Sequence, residues 1–168
     1  LDGAEASHTQ AIALNPNYAV AYSNLGNTFK ELGRLDDAEA SYTKAITLKP
    51  DYAEAYSNLG NILKQLGRLY EAEASYNQAI ALKPDYAVAH SNLGVTLKEL
   101  GTLSSAEVSL VKAIMLKPDY AEAYNNLGNM LKQLGKFNEA EASYTRAITL
   151  MPNYCETLYN RGLLLFDK

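Results

Sequence analysis

Asparagine residues recur at an interval of 34 residues, and they are the side chains of this sequence best suited to contacting another polypeptide. Counted from Ala19, Ala53, Ala87, Ala121 and Cys155, the sixth position is asparagine in every copy. A carboxamide presents a donor and an acceptor side by side, which match the N–H and C=O of a peptide unit. This first asparagine row consists of Asn24, Asn58, Asn92, Asn126 and Asn160.

Two further rows recur at the same interval. The second asparagine row, at position 9, is interrupted by Val95 and Leu163 and consists of Asn27, Asn61 and Asn129. The lysine row, at position 12, consists of Lys30, Lys64, Lys98 and Lys132. Tyr159, at position 5 of the last copy, departs from the repeated pattern and is a further candidate for a partner contact.

The asparagine rows admit three interpretations. They could form a solvated helix face, they could bond neighbouring repeats and fix their stacking, or they could bind the backbone of an extended peptide. Asparagine inside a helix costs roughly half a kcal/mol relative to lysine or glutamine, so a merely solvated face would not use it repeatedly. The second and third interpretations both stay open at the level of sequence.

Residues for catalysis, metal binding or cofactor binding do not form any recognisable pattern. His8 and His90 occupy positions that are tyrosine in sister repeats, which favours a packing role. Cys155 replaces the alanine that opens each repeat and is the single cysteine, so no intrachain disulfide can form. No phosphate-binding or dinucleotide-binding glycine pattern occurs. The sequence therefore predicts a protein that is not an enzyme and needs no metal or cofactor.

Composition further limits the classes of partner that this chain could bind. The 168 residues carry a net charge of −4 and no basic excess, which argues against nucleic acid as a partner. No stretch approaches the roughly 18 apolar residues of a membrane helix, and no signal or transit peptide is visible. We expect a single domain without a membrane partner, and a cytoplasmic location.

The 34-residue period predicts a run of helix pairs. Apolar residues at positions 4, 7, 8 and 11 lie at helical spacing and predict a first helix over about positions 1 to 14; in one copy they are Tyr56, Leu59, Gly60 and Leu63. A second helix follows in each repeat. The predicted units are a half repeat at 1–18, four full repeats at 19–52, 53–86, 87–120 and 121–154, and a half repeat at 155–168.

Local signals predict the ends of these helices. A glycine after each first helix is expected to adopt a left-handed cap, and a proline ends each second helix. Pairs such as Asp36 with Glu39, and Asp51 with Glu54, predict capping boxes at helix starts. The glycines are Gly33, Gly67, Gly101 and Gly135, and the prolines are Pro50, Pro84, Pro118 and Pro152.

The combination of Tyr56, Leu59, Gly60 and Leu63 with Ala72, Tyr76, Ala79 and Pro84 resembles the signature of the tetratricopeptide repeat (TPR) family along the whole chain. The resemblance implies an all-α fold, a right-handed solenoid of antiparallel helix pairs with first helices lining the concave side. Positions 2, 5, 6, 9, 12 and 13 fall opposite the apolar stripe and would face this groove.

Within that family, the asparagine rows look most like the superhelical region of O-GlcNAc transferase and related bacterial repeat proteins. In that branch the matching asparagines bind the backbone of a substrate or partner. Val95 interrupts the second row, so continuous groove contact at the third repeat is not expected. The branch that binds C-terminal carboxylates needs basic residues at positions 2, 5 and 6, where this chain instead has residues such as Glu54, Glu122 and Glu156.

The favoured function is a non-catalytic protein-interaction scaffold that binds an extended polypeptide in its groove. The alternatives are a substrate-recruiting arm of a larger enzyme such as a glycosyltransferase, and a self-assembling structural protein. Self-association is expected through the apolar residues of the two half repeats, head to tail or end to end. At the first end they are Leu1, Ala4, Ala11, Ile12 and Leu14, and at the other Leu158, Leu164, Leu165 and Phe166.

Overall fold

The computed structural model describes residues 2–166, which form ten α-helices and no strand. This confirms the predicted all-α class, and the first helices of the four full repeats span positions 1 to 13. The helices are α1 (Asp2–Leu14), α2 (Ala19–Glu31), α3 (Leu35–Leu48), α4 (Ala53–Gln65), α5 (Leu69–Leu82), α6 (Ala87–Glu99), α7 (Leu103–Leu116), α8 (Ala121–Gln133), α9 (Phe137–Leu150) and α10 (Cys155–Phe166).

The helices group into two compact units, residues 1–84 and 85–168. In the first unit α2 packs on α3 and α4 on α5, and in the second α6 packs on α7 and α8 on α9. Within each unit the second helix of one pair also packs on the first helix of the next, so the all-α solenoid is confirmed. That all 168 residues form one domain stays a prediction.

The turn inside each pair is short because a glycine closes the first helix. Gly33 has a φ of 73°, and the other three turn glycines have φ between 72° and 80°, as predicted. The Gly33 N–H donates to the carbonyl of Lys30 at 3.1 Å and the Arg34 N–H to that of Phe29 at 2.9 Å. These two bonds satisfy carbonyls left over at the helix end. Arg34 then directly precedes α3, so the chain reverses within three residues.

The predicted capping boxes are wrong. Helix α3 begins at Leu35, with Arg34 as its N-cap and no side-chain capping bond, so Asp36 lies inside the first turn. Helix α4 likewise begins at Ala53 after Tyr52. The reason in α3 is that one residue serves both the closing turn and the new helix, which leaves no separate capping position. Glu54 instead lies in the first turn, where its own backbone N–H and Lys83 hold the pKa of its carboxyl below the usual value.

Small residues let the paired helices approach closely. A Cβ on Gly60 would lie 2.7 Å from Cε1 of Tyr76, which is fully buried. The same relation joins Gly26 to Tyr42 and Gly128 to Tyr144. In the third repeat Leu110 takes the place of the tyrosine ring. These glycines therefore leave the room that the paired helix needs for its buried side chain.

No helix within residues 2–166 has the length and apolar character needed to cross a membrane. The apolar residues predicted to be exposed on α10 divide into two groups. Leu164 is fully buried, which corrects its predicted exposure, whereas Leu158, Leu165 and Phe166 are exposed. At the other end Leu14 is 81% exposed, and Leu1 lies outside the described residues.

Candidate functional site

The first asparagine row lies on the accessible side of the first helices. Asn24 is exposed, and the four later members of the row are half-buried. Their side chains are therefore reachable from solvent while being partly enclosed by neighbouring residues. This is the placement that a side chain needs if it is to bind a partner without being part of the core.

Three members of this row also bond the preceding first helix. Asn58 Nδ2 donates to Asn27 Oδ1 at 3.4 Å, Asn126 Nδ2 to Ser91 Oγ at 3.4 Å, and Asn160 Nδ2 to Asn125 Oδ1 at 3.3 Å. All three distances exceed the usual range of about 2.7–3.2 Å for such bonds, so each contributes little. The geometry gives the row a weak stacking role and leaves it accessible for a second one.

The second asparagine row bonds within its own repeat. The hydroxyl of Tyr42 donates to Asn27 Oδ1 at 2.7 Å. The corresponding bonds of Tyr76 to Asn61 and Tyr144 to Asn129 are both 2.8 Å. Each asparagine therefore satisfies the hydroxyl of a fully buried tyrosine and ties the first helix to the second. We call this contact the asparagine–tyrosine bond.

The third repeat lacks both partners of this bond. Val95 stands where the asparagine would be, and Leu110, fully buried, stands where the tyrosine would be. An asparagine–leucine or valine–tyrosine combination would lose the bond, and the latter would leave a buried hydroxyl unsatisfied. The joint replacement was the signal in the sequence from which this structural role could have been found.

Position 5 does not face the groove as predicted. Ser23, Ser57 and Ser91 are 3%, 1% and 1% exposed, and Asn125 is fully buried. Asn125 accepts the bond from Asn160 and donates to Glu156 Oε1 at 3.1 Å, so Asn125 faces the first helix of the next repeat. The helical wheel missed this because it separates core from solvent but carries no information on the neighbouring repeat. Asn125 is a polar contact that the sequence reasoning overlooked.

Tyr159 occupies the same position on α10 and is 67% exposed. Within residues 2–166 no later first helix follows α10, so this side chain has no such neighbour in the described part of the chain. Cys155 is likewise exposed, although the alanines at its position in the four full repeats are buried. Cys155 therefore does not pack in the core as those alanines do.

The lysine row is half-buried along the end of each first helix, in α2, α4, α6 and α8. Acidic residues lie near the other end of some of these helices. Glu54, Glu122 and Glu156 are all exposed, and Glu54 pairs with Lys83 at 3.1 Å. The accessible face of a first helix thus offers amides in its middle, a cation near its C-terminal end and, in α4, α8 and α10, a carboxylate near its start.

Profiles of the TPR family match nearly all of this arrangement. One for the TPR repeat matches residues 26–67 and 60–101, and others for the tetratricopeptide repeat match 9–40, 87–120 and 121–154. Together the matches span residues 9–154. The chain belongs to the tetratricopeptide repeat family. No curated protein sequence matches this TPR chain.

Several solved structures are similar to this chain. MamA is 28% identical, with a TM-score of 0.80, over 92% of this chain and 91% of MamA. YrrB, a TPR protein with an unusual peptide-binding site, is 27% identical, with a TM-score of 0.76, over 94% of this chain and 81% of YrrB. A thermophilic TPR protein of Thermus thermophilus, at 24% identity and a TM-score of 0.82 over 98% and 90%, shows the shared fold alone.

Proposed function

We propose that this TPR protein is a non-catalytic interaction scaffold that binds an extended polypeptide along its first helices. The observation that carries the proposal is the first asparagine row, which is accessible and in which the bonds of Asn58, Asn126 and Asn160 to the preceding first helix are long, at 3.3–3.4 Å. Loosely held amides can exchange these bonds for bonds to a peptide backbone at small cost. The peptide-binding site of the similar YrrB supports the same assignment.

The spacing of the row suits an extended segment. Packed helices lie about 8–10 Å apart, and three residues of a polyproline-type chain rise about 9.3 Å. Within either unit, one amide per first helix would therefore meet an equivalent backbone group of every third peptide residue. The resemblance of the asparagine rows to the superhelical region of O-GlcNAc transferase favours the same mode of binding.

The test is a triple variant, N58A/N92A/N126A. Each exchange gains roughly half a kcal/mol of helix propensity, and N58A and N126A each remove a long hydrogen bond that contributes about as much. The melting temperature should therefore stay within a few degrees of the wild type. Peptides are first selected from a random library by binding to the wild-type protein. They should bind the triple variant at least about tenfold more weakly, because several hydrogen bonds between the asparagines and the peptide backbone are lost.

The matched control is N77A, which removes an exposed asparagine from the second helix α5 and should leave peptide affinity unchanged. Equal affinity of the wild type and the triple variant would overturn the proposal. A large fall in melting temperature of the triple variant would assign the row to repeat stacking.

Two other functions stay predictions. A recruiting role within a larger enzyme would be tested by the sequence of the full gene. End-mediated self-association is favoured by Leu158, Leu165 and Phe166, which are 45%, 49% and 90% exposed on α10. Substituting these three by glutamine should remove any concentration-dependent mass that arises from this end, as measured by light scattering.

A further inference from the structure

The outer face of α7 carries three apolar side chains in one stripe. Val108, Val111 and Met115 are 69%, 40% and 70% exposed, although each could have been polar without loss to the core. They line one shallow depression together with Glu107 and Lys112. We call Val108, Val111 and Met115 the α7 patch. Single exposed apolar residues are common on proteins, but three in one stripe indicate a contact surface.

The repeats themselves provide the comparison. In α9 the same three positions are Ala142, Thr145 and Thr149, and all three are exposed. The other second helices also have only alanine, threonine or asparagine at these positions: Ala6, Thr9 and Ala13 in α1, Ala40, Thr43 and Thr47 in α3, and Ala74, Asn77 and Ala81 in α5. The apolar stripe is therefore a property of the third repeat and is not required by the TPR fold.

The spacing of the α7 patch is that of a helix-pairing seam. Its members are separated by three and then four residues, as are successive a and d positions of a coiled coil. In that register Glu107 takes a g position and Lys112 the following e position. Glu107 also lies 3.3 Å from Lys136, at the surface, and Lys112 is exposed.

We propose that α7 pairs with α7 of a second copy of this chain, in parallel, through the α7 patch. A g residue of one parallel helix faces the e residue five positions later on its partner, so Glu107 of each copy would face Lys112 of the other. The seam is thus self-complementary in charge as well as apolar. An antiparallel pair would instead bring Lys112 against its own counterpart.

The size of the patch sets the strength of this contact. The exposed fractions correspond to about 300 Å² of apolar surface per copy, against about 800 Å² per partner in a standard stable interface. The dimer is therefore weak, with a dissociation constant on the order of 100 μM or above, unless neighbouring side chains add to it. It would be populated where the chain is locally concentrated, for example by several copies binding one extended partner.

Sedimentation equilibrium of the full 168-residue chain tests the proposal. The protein concentration should reach about 1 mM, because the expected interface is weak. The average mass of the wild type should rise towards that of a dimer. The variant V108A/V111T/M115T, which copies the residues of α9 into α7, should weaken association at least fivefold and keep its melting temperature. A wild type that stays monomeric, or a variant that associates as strongly as the wild type, overturns the proposal. The second result would indicate association through the half repeats at the two ends of the chain.

Charge exchange tests the parallel orientation. K112E should weaken self-association, because Glu107 would then face an introduced carboxylate on the other copy, and E107K should weaken it for the converse reason. An equimolar mixture of the two variants should associate more strongly than either alone. In the mixed dimer an acidic residue faces a basic one in both pairs: one pair is Glu107 with Lys112, as in the wild type, and the other has the two charges exchanged. Because E107K also loses the contact with Lys136, its melting temperature is measured alongside. No gain on mixing, or no loss in K112E, overturns the parallel pair.

Discussion

The asparagine–tyrosine bond of the fourth repeat allows a quantitative test of how each helix pair is held together. Tyr144 is fully buried, and its hydroxyl donates to Asn129 Oδ1 at 2.8 Å. The third repeat shows the alternative solution, Val95 with Leu110. The perturbation is therefore the pair of exchanges N129V and Y144L, made singly and together, which copies the third repeat into the fourth.

The magnitudes follow from burial. N129V leaves a buried hydroxyl without its partner and should lower the free energy of unfolding by about 1–3 kcal/mol. Y144L removes much of a buried ring and should cost about 2–4 kcal/mol, while half-buried Asn129 can bond water instead. With the tyrosine gone, N129V has no hydroxyl left to orphan and should cost close to nothing. The coupling energy should therefore be about 1–3 kcal/mol.

Urea unfolding followed by circular dichroism measures the four proteins. N77V serves as control, because it makes the same exchange of side chain on the exposed face of α5, with no tyrosine ring to support. Since repeat proteins need not unfold in two states, a nearest-neighbour fit should replace a two-state one wherever the slope changes. Costs that add to within about 0.3 kcal/mol would refute a direct structural role for the bond.

Three further outcomes are expected. G60A should lower stability by about 1–3 kcal/mol, because the new Cβ would lie 2.7 Å from Tyr76, whereas G162A, with no atom within 4 Å, should be neutral or stabilising in thermal melts. Burial, and to a lesser degree nearby Glu156, raises the pKa of Tyr144 to about 12. The unfolded chain therefore loses this proton first, and stability should fall as pH rises from about 10 to about 12, a fall that Y144L should reduce in alkaline unfolding curves. R68T should shift the unfolding midpoint only slightly and only at low salt, because Arg68 and its partners Glu39 and Glu71 lie largely at the surface; a large shift that persists in high salt would contradict this.

The sequence alone determined the helices, their period and the turns that join them. Regular spacing of apolar residues makes an amphipathic helix wherever it occurs, Gly33 and its equivalents permit a left-handed turn, and Pro50 and its equivalents end the second helices. These are local effects, each confined to one or two helical turns. Because the pattern is repeated almost unchanged, the helices and turns predicted for one repeat apply to all of them.

The contacts of the polar residues depend on tertiary packing. Asparagines at positions 6 and 9 look alike in the sequence, yet Asn58 lies on the accessible face with a bond of 3.4 Å, whereas Asn129 is fixed by Tyr144, 15 residues away. Position 5 looked accessible, yet Asn125 is buried by the next repeat, 31 to 35 residues along the chain. A helical wheel describes one helix against an undefined core. Hydrogen-bond partners depend on which second helix folds back and which repeat follows, and those are properties of the packed solenoid.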